Sequence, residues 1–205
     1  MRHGYIKTAA ATPYITVADC RANGEEIIRL IREKEKEHTK VMVFPELCIT
    51  GYTCQDLFLQ RRLLDSAWET LMRIAAETAD VDALIFLGVP VRNKGKLYNV
   101  AAVLNRGEIL GLVPKSYLPN YGEFYEQRHF VSGLGCLEFM SINGKKIPFG
   151  TNLLFVCEEL QELIVAAEIC EDLWVNMPPS VIHAQAGANL IVNLSASNEM
   201  VGKDS

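Results

Sequence analysis

The chain has 205 residues, 49% hydrophobic and 22% charged, the composition of a globular domain with a sizeable core. Its net charge of −5 gives no attraction to nucleic acid or to an anionic membrane surface, and no apolar stretch is long enough to span a bilayer. The N-terminus lacks the long apolar core of a signal peptide, and the six cysteines form no CxxC pair, so the reading is a cytoplasmic protein with reduced thiols. Cys48 and Cys54 lie close together, but no histidine or second cysteine pair completes a zinc site, and no metal is assigned.

Residues 4–17 are apolar and β-prone and predict a first central strand. Asn23 is a candidate cap for the helix that follows, with Glu26 at the N3 position of a capping box. Ile27, Leu30 and Ile31 form the apolar face of that helix, and residues 32–38 form its charged, solvated end. Residues 41–44 read as a short buried strand running directly into Pro45-Glu46. Proline has no N–H to continue a ladder and stiffens the turn, so Glu46 is held at the strand's carboxyl end. A single glutamate there is, by itself, most simply a loop residue. Asp56 is a candidate cap for a long helix running to about residue 79, whose Leu63, Leu64, Ala67, Trp68, Leu71, Met72 and Ala75 keep to core spacing.

Residues 83–89 predict another apolar strand, and residues 97–104 and 109–113 flank the hairpin turn Asn105-Arg106-Gly107-Glu108. The second arm ends in Pro114-Lys115, the same strand–proline–ionisable pattern as Pro45-Glu46 with the opposite charge. Residues 116–130 hold Tyr117, Tyr121, Glu123, Phe124, Tyr125 and Glu126, a loop composition more often functional than connective. Residues 136–147 read as a hairpin around Asn143-Gly144, and residues 152–156 and 163–169 as further strands. The run LIVAAEI ends in Cys170, with Glu171, Asp172 and Trp174 close behind. The carboxyl end of a buried strand is where α/β folds place their chemistry, although a cysteine taken alone is more often a small core residue. Pro178-Pro179-Ser180 opens a helix ending near Gly187, and residues 189–194 form a last buried strand before Ser195-Ala196-Ser197-Asn198. The alternation of strands and helices, broken by hairpins, predicts an α/β fold with a mixed sheet and helices outside it. The last strand still needs cover when the chain stops, so the ending reads as a cut.

Three strand ends therefore supply Glu46, Lys115 and Cys170. A carboxylate within reach takes the thiol proton, a nearby cation lowers the thiol pKa, and the ammonium stabilises an oxyanion formed on a carbonyl. The set suits attack on a carboxamide or nitrile through a thioester or thioimidate. His3, His38, His129 and His183 sit in no motif that points to a Cys–His pair.

The ordered segments FPE at 44–46, PK at 114–115 and EICEDLW at 168–174 resemble the nitrilase, or carbon–nitrogen hydrolase, superfamily over essentially the whole chain. PELCITGYTCQDLF, PKSYLPNYGEFYEQRHF and NLSASNEMVGK narrow the resemblance to the glutaminase domains of glutamine-dependent NAD synthetases. The resemblance implies a nitrilase-like four-layer α-β-β-α sandwich, C-terminally incomplete, as one truncated amidohydrolase domain over residues 1–205. It implies Cys170 as nucleophile on the glutamine amide, Glu46 as general base, Lys115 at the oxyanion and Glu126 as the second glutamate orienting them. It implies a glutamine pocket drawn from Tyr121, Glu171, Trp174, Ser197 and Lys203. Arginine is expected in the family where Lys203 stands; lysine pairs with the substrate carboxylate but lacks the bidentate fork. This domain needs no cofactor. Ammonia would pass through a tunnel to a synthetase domain that uses ATP and magnesium to amidate nicotinic acid adenine dinucleotide to NAD. No phosphate loop of the SGGxDS type occurs in this sequence, so the chain is read as a fragment, weakly active or inactive, that folds and self-associates. Homo-oligomerisation is carried by the resemblance alone. The competing readings are a stand-alone amidase for an ω-amide or N-carbamoyl substrate, a non-catalytic scaffold, and an α/β domain in which Cys170 is packing.

Overall fold

A strand that is apolar on both faces must be covered on both, because successive side chains point to opposite sides. Leu84–Asn93 (β3) is such a strand: Ile85 and Leu87 enter one core and Phe86 another. In the computed structural model, which describes residues 5–198 and Gly202, this double-sided pattern sets the architecture.

β3 lies inside a seven-stranded sheet ordered β1-β2-β3-β4-β5-β7-β6. Thr8–Ala10 (β1), Val41–Val43 (β2) and β3 run parallel, whereas Lys96–Asn105 (β4) and Glu108–Pro114 (β5) continue antiparallel. Leu137–Ile142 (β6) and Lys145–Gly150 (β7) close the far edge as a hairpin. A second sheet contains Phe155–Val156 (β8), Ile164–Ile169 (β9) and Leu190–Leu194 (β10), in the order β10-β9-β8. Cys20–Lys36 (α1) and Arg61–Glu77 (α2) cover the outer face of the large sheet, and Pro179–Gln185 (α3) lies against β9.

Two cores result. Met42, Ile85, Leu87 and Ala102 face Ile27 and Ile31 of α1 and Leu71 and Ile74 of α2. Val41, Phe86, Ala101, Val103 and Val113 meet Val165, Ala167, Ile169, Val192 and Leu194 of the small sheet. Each of the larger side chains among these, once fully buried, contributes roughly 1.5–3 kcal/mol. The layers run helix, sheet, sheet, helix, which is the predicted α-β-β-α sandwich. Both predicted hairpin turns form, with Arg106-Gly107 and Asn143-Gly144 at positive φ as two-residue turns require.

Local expectations fail where a polar side chain has a distant partner. β1 is only three residues long and sits at the sheet edge, not its centre, and Pro13 follows it without an N–H to offer. Asp19, not Asn23, caps α1, accepting from Ala22 N. Asn23 is buried within the helix, where its side chain bonds Thr16 N, Thr16 O and Ile49 O. Glu26 pairs with Arg29 instead of closing a capping box. Asp56 does not cap α2: it lies in the 3₁₀ segment Tyr52–Leu59, pairing with Arg128 at 2.7 Å and His129 at 3.0 Å. Among the described residues no helix is long and apolar enough to cross a membrane, and no group of His, Cys, Asp or Glu is placed to hold a metal ion. All six cysteines are free thiols.

Candidate active site

The carboxyl end of β2 delivers Glu46. Phe44 N still donates to Phe86 O at 3.0 Å, and the chain then turns at Pro45. Leu47 adopts φ 52°, and Ile49 N returns to Gly88 O at 3.2 Å. The turn lies so close to β3 that a Cβ on Gly88 would stand 2.2 Å from Leu47 N and 2.4 Å from Pro45 O. Glycine at 88 is therefore a condition for the position of Glu46.

The end of β5 delivers Lys115. Its N–H donates to Asn99 O at 2.8 Å, and its carbonyl accepts from Gly133 N at 2.8 Å. The ammonium is 1% exposed and donates to Glu46 Oε1 and Glu126 Oε1, each at 2.6 Å. Glu126 opens the 3₁₀ turn Glu126–Arg128, and its Oε1 also accepts from Tyr52 Oη at 2.7 Å. Ammonium has three N–H donors, so two are committed to carboxylates and one is left for a developing anion.

β9 delivers Cys170, which opens the 3₁₀ segment Cys170–Trp174 at φ 46°. A non-glycine residue in the left-handed region is sparsely populated and persists only where its surroundings hold it. Here the holder is Asp172. One of its oxygens accepts from Ile169 N at 3.0 Å, and the other accepts from Ser116 N at 3.1 Å and Tyr117 N at 2.8 Å. The cysteine turn is thus tied to the residues that follow Lys115. The parallel pairing of Leu194 with Ile169 carries Ser195 and Ala196 alongside, and Ala196 N donates to Glu46 Oε2 at 3.2 Å.

The electrostatics follow from burial. Burial pushes Glu46 up to about 7; Glu126 adds to the rise while Lys115 and Asn99 oppose it. Burial acts to lower Lys115, but the Glu46 and Glu126 carboxylates outweigh it and hold the ammonium above the usual lysine range. Burial also pushes Asp172 up to about 6, against its three backbone donors. For Cys170 the Lys115 cation lowers the thiol as expected, but it is outweighed. Burial and the Glu46 charge raise the thiol, and Lys115, Ser195 and Ala196 only partly offset them. The resting sulfur is a thiol, so its proton must leave as it attacks.

Glu46, Lys115 and Glu126 are thus brought to one buried place, with the half-buried Cys170 close enough to interact with Glu46 and Lys115. Tyr121 and Glu171 meet at its rim, Tyr121 Oη donating to Glu171 Oε2 at 2.8 Å. They line an open groove with Ser116, Tyr117, Phe130 and Val175. Trp174 is 75% exposed and does not line that groove, nor does Ser197, which is exposed on the segment after β10. Lys203 lies outside the described residues. The structure adds Asn99, Tyr52 and Asp172 to the sequence-derived set. Asp172 lies inside the EICEDLW segment, and Asn99 is a polar residue inside an apolar strand, a pattern that marks a buried polar contact without naming the partner.

The carbon–nitrogen hydrolase family model matches residues 7–205. The glutamine-dependent NAD(+) synthetase of Mycobacterium tuberculosis is 40% identical over 202 residues, covering 98% of this chain and 30% of that protein. The synthetase of the same name from Aquifex aeolicus is 36% identical over 189 residues, covering 92% of this chain and 30% of that protein. A crystal structure of a glutamine-dependent NAD(+) synthetase from Cytophaga hutchinsonii superposes with a TM-score of 0.85 at 32% identity, covering 97% of this chain and 32% of that one. The chain therefore spans about 30% of the length of these curated relatives.

Proposed function

The chain belongs to the carbon–nitrogen hydrolase family, and from that premise we propose that it hydrolyses the side-chain amide of glutamine through a cysteine thioester. The observation that carries the reading is the pair of 2.6 Å contacts from Lys115 to Glu46 and Glu126, set against Cys170.

Cys170 Sγ attacks the amide carbon while Glu46 takes the thiol proton. A base that protonates at about 7 is matched to this task near neutrality. Lys115 donates its third N–H to the oxyanion of the tetrahedral intermediate. As the intermediate collapses, Glu46 returns the proton to the leaving nitrogen, and ammonia departs from a thioester. Glu46 then takes a proton from water, whose oxygen attacks the thioester. Collapse gives glutamate and the free thiol, so the balance is glutamine plus water to glutamate plus ammonia. Glu126 orients Lys115 throughout.

In this reading glutamine is held by Tyr121 and Glu171, whose hydrogen bond supports their placement at the rim, by Trp174 and Ser197 outside the rim groove, and by Lys203. The whole protein is a cytoplasmic, homo-oligomeric enzyme. Its synthetase domain, outside this chain, uses ATP and magnesium to amidate nicotinic acid adenine dinucleotide with the ammonia. Residues 1–205 are its glutaminase domain, and no residue of this chain is assigned to ATP or magnesium.

Intact-protein mass spectrometry with a glutamine analogue carrying a diazoketone tests the proposal. The expected result is one adduct on wild type, absent from Cys170→Ala and blocked by excess glutamine. An unblocked adduct, or preferential turnover of a non-glutamine amide, overturns glutamine as substrate.

A further inference from the structure

The buried floor of the site holds more negative than positive charge. Glu46 and Glu126 are two carboxylates and Lys115 is one ammonium, all 4% exposed or less. Among the described residues, the other donors to this pair are neutral. Tyr52 Oη serves Glu126, and Ala196 N serves Glu46. Asn99 reaches both: its Nδ2 lies 2.7 Å from Glu46 Oε1 and 3.5 Å from Glu126 Oε2. Its main-chain carbonyl accepts the Lys115 backbone N–H, while its side-chain Oδ1 has no partner among the described residues. One residue of β4 therefore touches the backbone that carries the cation and the side chains of both anions.

We infer that Asn99 is a positioning residue for the proposed hydrolase reaction, a neutral clasp that holds Glu46 against Glu126 and keeps Glu46 in its proton-accepting form. The inference rests on the hydrolase reading of the site. A buried amide within an apolar strand costs free energy unless paired, and a packing role would be served as well by leucine. Asn99 is 1% exposed, between Tyr98 and Val100 on β4. Its pairing is with the carboxylates rather than with neighbouring backbone. Aspartate there would add a third anion. The neutral amide supplies a hydrogen bond without changing the charge. The ionisable groups that act on Glu46 in this cluster are Lys115, Glu126, Tyr52 and Cys170, and Asp172 acts on Lys115. Removing the Asn99 donor leaves all of these in place, so the proton affinity of Glu46 rises.

The test is the pH dependence of Cys170 alkylation by iodoacetamide, read as the modified peptide by mass spectrometry, beside kcat and KM for glutamine. Wild type, Asn99→Leu and Asn99→Ser are compared in the whole chain. Asn99→Leu should move the acid limb of both profiles up by about one pH unit, the size expected for a lost hydrogen bond to a charged group. At pH 7 its kcat should fall about fivefold with KM within about twofold, since the lost contact acts on proton transfer and not on substrate. Asn99→Ser, smaller and still a neutral donor, should shift the limb by less, and it carries the test should the leucine variant not fold. An unmoved acid limb in a folded variant, or an equal loss at every pH, overturns the inference. Alkylation does not involve glutamine. A wild type that alkylates with the acid limb but does not turn over glutamine defeats the substrate proposal alone.

Discussion

Glu46, Lys115 and Glu126 are between 1% and 4% exposed, whereas Tyr121 at the rim is 59% exposed. On the floor every carboxylate oxygen has a donor, two of them within 2.6 Å of the same ammonium. At the rim the characterised polar contact among these residues is a single hydrogen bond in water, from Tyr121 to Glu171. Removing one partner of a buried pair strands the other charge and costs about 3–5 kcal/mol, but an exposed contact is worth roughly 0–1 kcal/mol. On the proposed function, the reacting groups are held before substrate arrives, and the exposed rim is held by far less.

The sharpest break in this contrast is at sulfur. Cys170→Ala should lower ammonia release from glutamine by on the order of 10⁵-fold or more while leaving thermal unfolding close to wild type. Lys115→Met should lower kcat about 10²–10³-fold and also destabilise the fold by about 3 kcal/mol or more, because Glu46 and Glu126 then face each other without a cation. An unchanged denaturation midpoint in that variant would separate the floor's chemistry from its stability. Gly88→Ala forces the Pro45–Leu47 turn off β3 and should cost about 2 kcal/mol by overpacking. Denaturant titration measures that cost, and a fall in kcat should accompany it because Glu46 moves with the turn.

Acidity sharpens the comparison further. Glu46 must be ionised to take the thiol proton, so kcat/KM should fall about tenfold per pH unit below about 7. Stability should move the other way. Glu46 at about 7 and Asp172 at about 6 lie above their usual 4.5 and 3.8. Groups raised on folding stabilise fully below those usual values, and the contribution is lost as pH rises through 6 to 7. Glu46→Gln removes the Glu46 part, so the stability of the variant relative to wild type should improve between pH 4.5 and 7, as urea titrations at several pH values would read. The smallest effect belongs to the rim. Tyr121→Phe should change KM a few-fold and stability by less than about 0.5 kcal/mol.

The same division decided what the sequence could reveal. Glu46, Lys115 and Cys170 were legible because each follows an apolar strand, and two of the three follow a proline that punctuates it. The hairpins at Arg106-Gly107 and Asn143-Gly144 were legible because positive φ favours the glycines at 107 and 144 and the asparagine at 143. Misreadings arose where the partner was remote in sequence. Asn23 has the residue type of a helix cap, yet it is buried against Thr16 and Ile49. Asp56 has the same type, yet it pairs with Arg128, 72 residues away. Asn99 shows no local signal that its amide serves Glu46, 53 residues back. Local pattern records local energetics, and a site assembled from several strand ends is visible only where each end carries its own punctuation.

Lys115 binds its proton more firmly than a free lysine and is closed off from water, so it remains a fixed cation throughout the working range. In the proposed reaction each proton that moves on the floor then passes through Glu46, itself 2% exposed. On the proposed pathway the atom that leaves sulfur is the one that completes the departing ammonia. Departure of the nitrogen therefore draws no proton from the surrounding solvent in that step.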